Sequence, residues 1–157
     1  MRIAFVVNNY PPRSGGVEFH VAALARHLTG RGHEVTVVTL AERPSVTTED
    51  GIHVIRLRER LRIGDVLGFP PPGTARRLRQ MFRARGIELV SVHTRFFPLT
   101  WLGVDAARAT GIPVILTEHG SDHVSSDSRL ISSAARGVDQ TLGRRALKRA
   151  DQVLAVS

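Results

Sequence analysis

Short apolar runs alternate with amphipathic segments along the chain. The first run, Ile3–Val7, is continuous, which is typical of a parallel strand that is covered on both faces. Over Val17–Leu28 the apolar residues recur every three or four positions, and this spacing predicts a helix with one buried face. Ser14 is the expected N-cap of that helix, and Glu18 falls in its first turn, where the helix dipole favours a carboxylate.

The alternation continues to the end of the chain and predicts five more strands. They are expected over residues 34–40, 52–57 and 88–93, within 112–122, and from residue 151 onward. Strands that alternate with helices in this way form right-handed parallel units. The pattern therefore predicts an α/β fold, a Rossmann-like parallel sheet in the order 3-2-1-4-5-6 with helices on both faces.

Helices and loops are expected between these strands. One helix should cover 74–85, another should run from Pro98 to just before Gly111, and 125–150 should hold one long helix or two. The polar stretch 42–51 is expected to be a loop. The stretch 58–73 contains three successive prolines and is expected to be an exposed connection.

Gly15 and Gly16 lie between the first strand and the first helix. Without side chains they let backbone amides approach a ligand closely, and a helix amino terminus after such a turn is a natural anion site. A tight turn with no ligand is the alternative. The loop matches neither G-x-G-x-x-G nor the P-loop, so the motifs support neither a dinucleotide fold nor a nucleoside triphosphatase.

Composition narrows the choice of function. The 157 residues suit one domain, and no apolar run approaches the roughly 18 residues that a membrane span needs. The chain has no cysteine and no signal-peptide pattern, so we expect a cytoplasmic protein without disulfides or cysteine chemistry. The net charge is +8, but the arginines are not interleaved with stacking aromatics, so nucleic acid is not an expected partner.

The most basic segment is the predicted helix 74–85. Its inner stripe is formed by Leu78, Met81 and Phe82. Most of its outer positions are arginines: Arg76, Arg77, Arg79 and Arg83. This pattern is typical of a solvated basic face over an ordinary core stripe, and it also fits a peripheral contact with an anionic membrane.

Polar residues follow the first, fourth and fifth strands, in the loops 8–16, 93–95 and 118–122. Carboxyl ends of parallel strands are where open α/β sheets bind ligands. The fifth-strand loop holds Glu118, His119, Asp122 and His123, but it lacks a rigid helical pair of ligands, and neither His93 nor His119 has metal-binding spacing to another ligand. We therefore expect no metal site.

Four segments resemble, in order, the landmarks of the N-terminal domain of GT-B glycosyltransferases. They read GGVEFHVAALARHLTGRGHEVTVVT, LVSVHTR, PVILTEHG and ADQVLAVS, and they are most similar to the retaining family-4 type. The resemblance implies two Rossmann-like domains across a cleft, the first mainly for the acceptor and the second for the nucleotide-sugar. We therefore expect residues 1–157 to form the N-terminal, acceptor-side domain of a truncated chain that lacks its donor domain and is inactive alone.

The resemblance also implies roles for individual residues. Gly15 and Gly16 would offer amides to the donor diphosphate, and His119, the catalytic candidate, would lie beside the transferring sugar. The family often has His-x-His where this chain has His93, Thr94 and Arg95, so only the first histidine carries over. The acceptor- or sugar-binding candidates are Arg13, His93, Arg95 and Asp122. The resemblance implies a nucleotide-sugar donor, a glycan, lipid or small-molecule acceptor, and no metal or other cofactor.

Two other functions fit parts of the pattern. One is a non-catalytic α/β module that binds an anionic ligand or partner. It differs from the glycosyltransferase in that its sequence would not continue past Ser157 into a second α/β pattern with two closely spaced glutamates. A nicotinamide-dependent oxidoreductase would need G-x-G-x-x-G after the first strand. Glu42 lies near the acidic position that such an enzyme uses after its second strand, but the glycine pattern is wrong.

Overall fold

The computed structural model of the protein describes residues 1–63, 67–120 and 139–156. Seven strands in this part of the chain form one sheet in the order β3-β4-β2-β1-β7-β8-β9, and β5 and β6 form a separate pair. The strands are β1 Arg2–Val6, β2 Glu34–Ala41, β3 Ser45–Glu49, β4 Ile52–Arg58, β5 Leu61–Ile63, β6 Leu67–Phe69, β7 Leu89–His93, β8 Val114–Glu118 and β9 Gln152–Ala155.

The six strands that the sequence predicts are β1, β2, β4, β7, β8 and β9. They lie side by side in the predicted order, and every pairing among them is parallel. Strand β1 is central: Val6 is paired with Val38 of β2 on one side and with Val92 of β7 on the other. The predicted fold class is confirmed.

The predicted loop 42–51 is wrong, because it contains β3. This strand pairs antiparallel with β4 and caps the sheet edge, so β4 is the second strand from that edge. Its residues are mostly exposed, and Arg56 of β4 holds it through a 2.7 Å ion pair with Glu49. Val46, Thr47 and Thr48 are β-branched and favour a strand, but a strand without a buried face has no hydrophobic alternation to reveal it.

The predicted connection 58–73 also contains regular structure. Strands β5 and β6 form a short antiparallel hairpin, in which Leu61 lies opposite Phe69. The prolines come after this hairpin and lead into the next helix. Its strands have three residues each, which is too short for a periodic pattern to show.

Helices cover both faces of the sheet. They are α1 Gly16–Gly30, α2 Thr74–Ala84, α3 Pro98–Thr110 and α4 Arg144–Arg149, the last preceded by a π-helical turn, Asp139–Gly143. Helix α1 packs on the face that buries Phe5, and the other three pack on the face that buries Val6. Most of the predicted helical region 125–150 lies outside the described residues.

The predicted core stripe of α2 is confirmed. Leu78 and Phe82 are buried, and Met81 packs at the edge of the same cluster. The four outward arginines are exposed. Among the helices that the structure describes, none combines the length and apolar character that crossing a membrane requires.

The predicted N-cap Ser14 is wrong by one residue. Gly15 is the N-cap, its carbonyl accepts the first helical hydrogen bond from the amide of Phe19 at 3.0 Å, and no side chain caps the helix. Gly15 has extended backbone, φ 179° and ψ 168°. Glu18 does lie in the first turn, and its carboxylate folds back over Gly15, where it can interact favourably with the helix dipole.

Candidate functional site

The candidate site is at the carboxyl edge of three neighbouring strands, β1, β7 and β8. Strands β1, β7 and β8 are adjacent and parallel, so the loops that follow them meet at one edge of the sheet. These loops carry Gly15 and Gly16, His93 to Arg95, and His119. The amino end of α1 opens at the same edge, because α1 follows the loop after β1.

Three histidines from separate elements meet at this edge. His93 Nδ1 lies 2.9 Å from His119 Nε2, and His93 Nε2 lies 3.2 Å from the Ser91 hydroxyl. His20 of α1 contacts His119 edge-on, with ring centres 4.9 Å apart and an interplanar angle of 74°. We call His20, His93 and His119 the histidine cluster. A chain of polar contacts therefore runs from Ser91 inside β7 to a ring at the site surface.

The environment sets the protonation of the cluster. Burial, followed by the nearby His119 and His20, lowers the pKa of His93 to about 3. Burial and His20 also lower the pKa of His119, against the opposing charges of Glu118 and Glu18. His93 is neutral at physiological pH. A neutral imidazole has one N–H and one acceptor nitrogen, so one ring donates to the other across the 2.9 Å contact.

Gly16 offers the open approach to the amino end of α1. A Cβ atom placed on Gly16 would have no heavy atom within 4 Å, whereas one on Gly15 would collide with the Glu18 carboxylate. The first-turn amides of a helix have no intrahelical acceptor and attract anions. The two glycines are therefore not equivalent: Gly16 faces open space and Gly15 lies under a carboxylate.

The turn after β7 is held tightly. Thr94 has a left-handed backbone with φ 61°, which is uncommon for a residue other than glycine. Arg95, which follows it, forms a 2.6 Å ion pair with Glu118 of β8, and its carbonyl accepts a 2.6 Å hydrogen bond from Trp101. The Arg95 guanidinium thus clamps the ends of β7 and β8 together.

A second clamp fixes the loop after β1. The Glu59 carboxylate is almost fully buried and forms ion pairs with Arg13 at 2.9 Å and Arg62 at 2.7 Å. Arg62 also donates to the Asn9 side chain at 3.1 Å, and Asn8 donates to the carbonyl of Gly68 at 3.2 Å. These contacts tie the loop that leads to the glycines to the hairpin β5–β6.

We expect Glu59→Gln to destabilise the protein by about 1–3 kcal/mol at neutral pH, because it removes the buried carboxylate charge that Arg13 and Arg62 share. Burial alone would raise the pKa of Glu59, but the hydrogen bonds and charges of Arg62 and Arg13 outweigh it and the net pKa is lowered. Because the pKa of Glu59 is lower in the folded state, its carboxylate stabilises the folded protein at any pH above the pKa that it has in the unfolded chain. This stabilisation is lost as the pH falls through the pKa of the folded state.

Urea unfolding of the parent and Glu59→Gln should therefore show a gap at pH 7 that narrows below about pH 4, the usual range of a glutamate. Glu42→Gln is the matched control, since Glu42 is exposed. An equal loss of stability in both variants, or a gap independent of pH, would contradict the role of the buried carboxylate.

The structure brings together some of the candidates from sequence and not others. Gly16, His93 and His119 lie at one edge, as expected. Arg13 and Arg95 reach the same region, but each is engaged by a glutamate of this chain. Asp122 lies outside the described residues. His20 was missed by the sequence analysis. Its position one helical turn after Gly16 was the only indication in the sequence that it lies near the site. Its approach to His119 depends on the packing of α1 across β1.

Solved structures share this fold, among them a glycosyltransferase. A glycosyltransferase from Rickettsia africae superposes with a TM-score of 0.61 at 18% identity, over 99% of this chain and 36% of its own. MurG from Acinetobacter baumannii gives 0.59 at 15% identity, over 99% of this chain and 40% of its own. HepE from Anabaena, solved in complex with UDP, gives 0.52 at 18% identity, over 99% of this chain and 43% of its own. The architecture is that of an N-terminal GT-B half-domain.

The sequence comparisons give the family. The family model of Glycosyltransferase Family 4 matches residues 14–157, and the chain belongs to that family. A curated relative, an uncharacterized glycosyltransferase of Methanocaldococcus jannaschii, is 42% identical over 60 residues, which cover 37% of this chain and 15% of that protein. The chain therefore spans much less than two thirds of the length of these relatives.

Proposed function

We propose that this chain is the acceptor-side half of a retaining glycosyltransferase that moves a hexose from a nucleotide-sugar to a glycan, lipid or small-molecule acceptor. One observation carries the proposal: the amino end of α1, which is open at Gly16, and the histidine cluster share one edge of the sheet. His20, one turn after Gly16, contacts His119. An anion at the helix terminus and a sugar at His119 are therefore neighbours.

The proposed reaction breaks the bond between the sugar and the donor phosphate and forms a bond to the oxygen of an acceptor hydroxyl, whose proton passes to the departing diphosphate. Negative charge develops on the departing diphosphate, and the α1 amides at Gly16 are placed to stabilise it. Cations of a second domain would complete this stabilisation. The step needs no metal ion in this proposal, because helix amides and side-chain cations neutralise the leaving group.

His119 is proposed to bind the sugar or to orient the acceptor. His93, buried and neutral, holds the His119 ring through their 2.9 Å contact and is a positioning residue. HepE was solved with UDP, which supports a nucleoside diphosphate as the common part of the donor. Arg13, Arg95 and Asp122 remain proposed contacts for the acceptor or sugar.

The test compares the 157-residue chain with the full-length enzyme. We expect no measurable transfer by the chain alone and, in calorimetry, at best weak binding of UDP-, GDP- and ADP-sugars. The full-length enzyme should transfer from one of them. Submicromolar binding by the chain alone would show that the donor site is misplaced. A full-length protein that binds these sugars but transfers none would favour the non-catalytic module.

We further propose that α2 lets the protein contact the anionic cytoplasmic face of a membrane. Helix α2 leads into the amino end of β7, so its first turns lie toward the carboxyl edge, where the site is. Its four arginines are exposed, and the preceding hairpin exposes Leu61 and Ile63. Basic and apolar groups together suit a surface that carries a lipid-linked acceptor.

Liposome sedimentation tests this contact. At roughly 1 kcal/mol for each basic residue near an anionic surface, substituting Arg76, Arg79 and Arg83 by Gln should markedly weaken binding at low salt, and added salt should remove the difference. Substituting Arg26, Arg31 and Arg43 is the control, since these exposed arginines lie outside α2 and carry the same charge. Equal binding by both triple variants would exclude α2 as the contact.

A further inference from the structure

We propose that His20, His93 and His119 bind one divalent transition-metal ion of the Zn²⁺ type, and that this ion inhibits sugar transfer. Their ligand nitrogens all lie within 4.8 Å of one another. The binding of the ion does not depend on the proposed function, whereas the inhibition of sugar transfer rests on that function.

The spacing is close to that of a metal centre. Bonds of 2.0–2.1 Å in a tetrahedral zinc site place neighbouring nitrogens about 3.3 Å apart. His93 Nδ1 and His119 Nε2 are now 2.9 Å apart, with ring centres 5.2 Å apart, so the two nitrogens point at each other. The partly exposed His119 ring must move aside and turn before both lone pairs can point at one ion. His20 and His119 are not buried, and an ion can therefore reach the cluster without opening the core.

The surroundings of His93 match those of a metal-bound histidine. Such a histidine normally donates a hydrogen bond from its second ring nitrogen to a neighbouring oxygen, and this bond fixes the orientation of the ring. Here the Ser91 hydroxyl lies 3.2 Å from His93 Nε2, which leaves Nδ1 facing the cluster. The Phe5 ring stacks against His93 with centres 5.8 Å apart and further restricts its rotation.

The ligand set selects the kind of ion. Three imidazoles suit Zn²⁺, Co²⁺, Ni²⁺ or Cu²⁺ and not the oxygen-seeking Mg²⁺ or Ca²⁺. The carboxylates of Glu18 and Glu118 act electrostatically on His119 and favour positive charge there. Three protein ligands leave a fourth position for water or a hydroxyl. An ion would occupy the His119 nitrogen and the space beside it, and would compete with the sugar.

Binding is measured with Zn²⁺ and Co²⁺ on the metal-stripped protein, by calorimetry and by the visible absorption of tetrahedral cobalt. We expect one ion for each chain. His20→Asn and His119→Asn should each weaken binding by roughly tenfold or more, since each removes a ligand. His27→Asn is the matched control: it changes an exposed histidine of the same helix, outside the cluster, and should bind as the parent does.

Melting curves of the metal-stripped variants show which of them remain folded, and metal affinities are compared only among those. Unchanged affinity in both His20→Asn and His119→Asn, or no stoichiometric binding by the folded parent, would overturn the metal site. In the full-length enzyme Zn²⁺ should inhibit transfer, chelator should restore it, and His20→Asn should resist inhibition. Stoichiometric binding without inhibition would keep the site and overturn the proposed place of the sugar at His119.

Discussion

Gly16→Val is expected to reduce sugar transfer by the full-length enzyme by about a hundredfold, because loss of one amide donor to a developing anion typically costs that much. A Cβ atom at Gly16 has open space around it, and we expect the valine side chain to extend into the space in front of the helix amides. It would hold the diphosphate away from them. The measurement is initial rate of transfer at saturating donor and acceptor.

The same variant should keep its melting temperature. Gly16 lies in α1 and does not have the left-handed backbone that only glycine adopts easily, so valine introduces no strain of that kind. Gly15 is a poorer choice, since a side chain there would displace the Glu18 carboxylate. Loss of activity at Gly16 can therefore be read as loss of ligand contact.

Gly30→Val is the matched control. Gly30 is the last residue of the same helix, its Cβ position is also open, and it lies at the opposite end from the site. This variant should transfer sugar at the parent rate. If Gly16→Val is as active as Gly30→Val while both remain folded, the glycine loop is a turn without a role in binding the donor.

His119→Ala should lower transfer by roughly ten- to hundredfold, which is the effect of losing one hydrogen bond worth about 1–3 kcal/mol in the transition state. His119 is the partly exposed end of the contact chain that begins at Ser91. The substitution also removes the partner of His93 Nδ1, which is buried, so the melting temperature should fall as well.

His119→Gln separates the two effects, because a glutamine amide can reach the position of His119 Nε2, the atom that contacts His93. We expect it to recover stability but not full activity. His27→Ala is the control for removal of an exposed histidine and should leave transfer unchanged. If His119→Ala transfers sugar at the parent rate while folded, the ring serves only to cover the end of β8.

The pattern of apolar residues was sufficient for the central part of the fold. Buried parallel strands need side chains that are mostly apolar on both faces. Strand β1 therefore appears as a continuous apolar run, and in β2 only two buried threonines, Thr36 and Thr39, interrupt it. Helix α2 is equally clear, since Leu78 and Phe82 recur at helical spacing among arginines. The order of the six strands is that of the doubly wound fold, which the alternation of strands and helices predicted.

Elements that have no buried face leave no such pattern in the sequence. Strand β3 is exposed along most of its length, and β5 and β6 are held by the hairpin and by the ion pairs of Glu59. Their stability comes from backbone pairing and from charges that lie far apart in the sequence. No local periodicity records either of these interactions.

By itself the sequence determined the six parallel strands, the helices α1 to α3 and the family resemblance, and it predicted an anion site at the start of α1, because these depend on patterns within single segments. Only the tertiary structure decided which side chains meet. It brought His20 from a helix to His93 and His119 at two strand ends, and it paired Arg13 and Arg95 with glutamates. The separation of these residues along the sequence does not predict such contacts, because the packing of α1 across the sheet sets the distances between the elements that carry them.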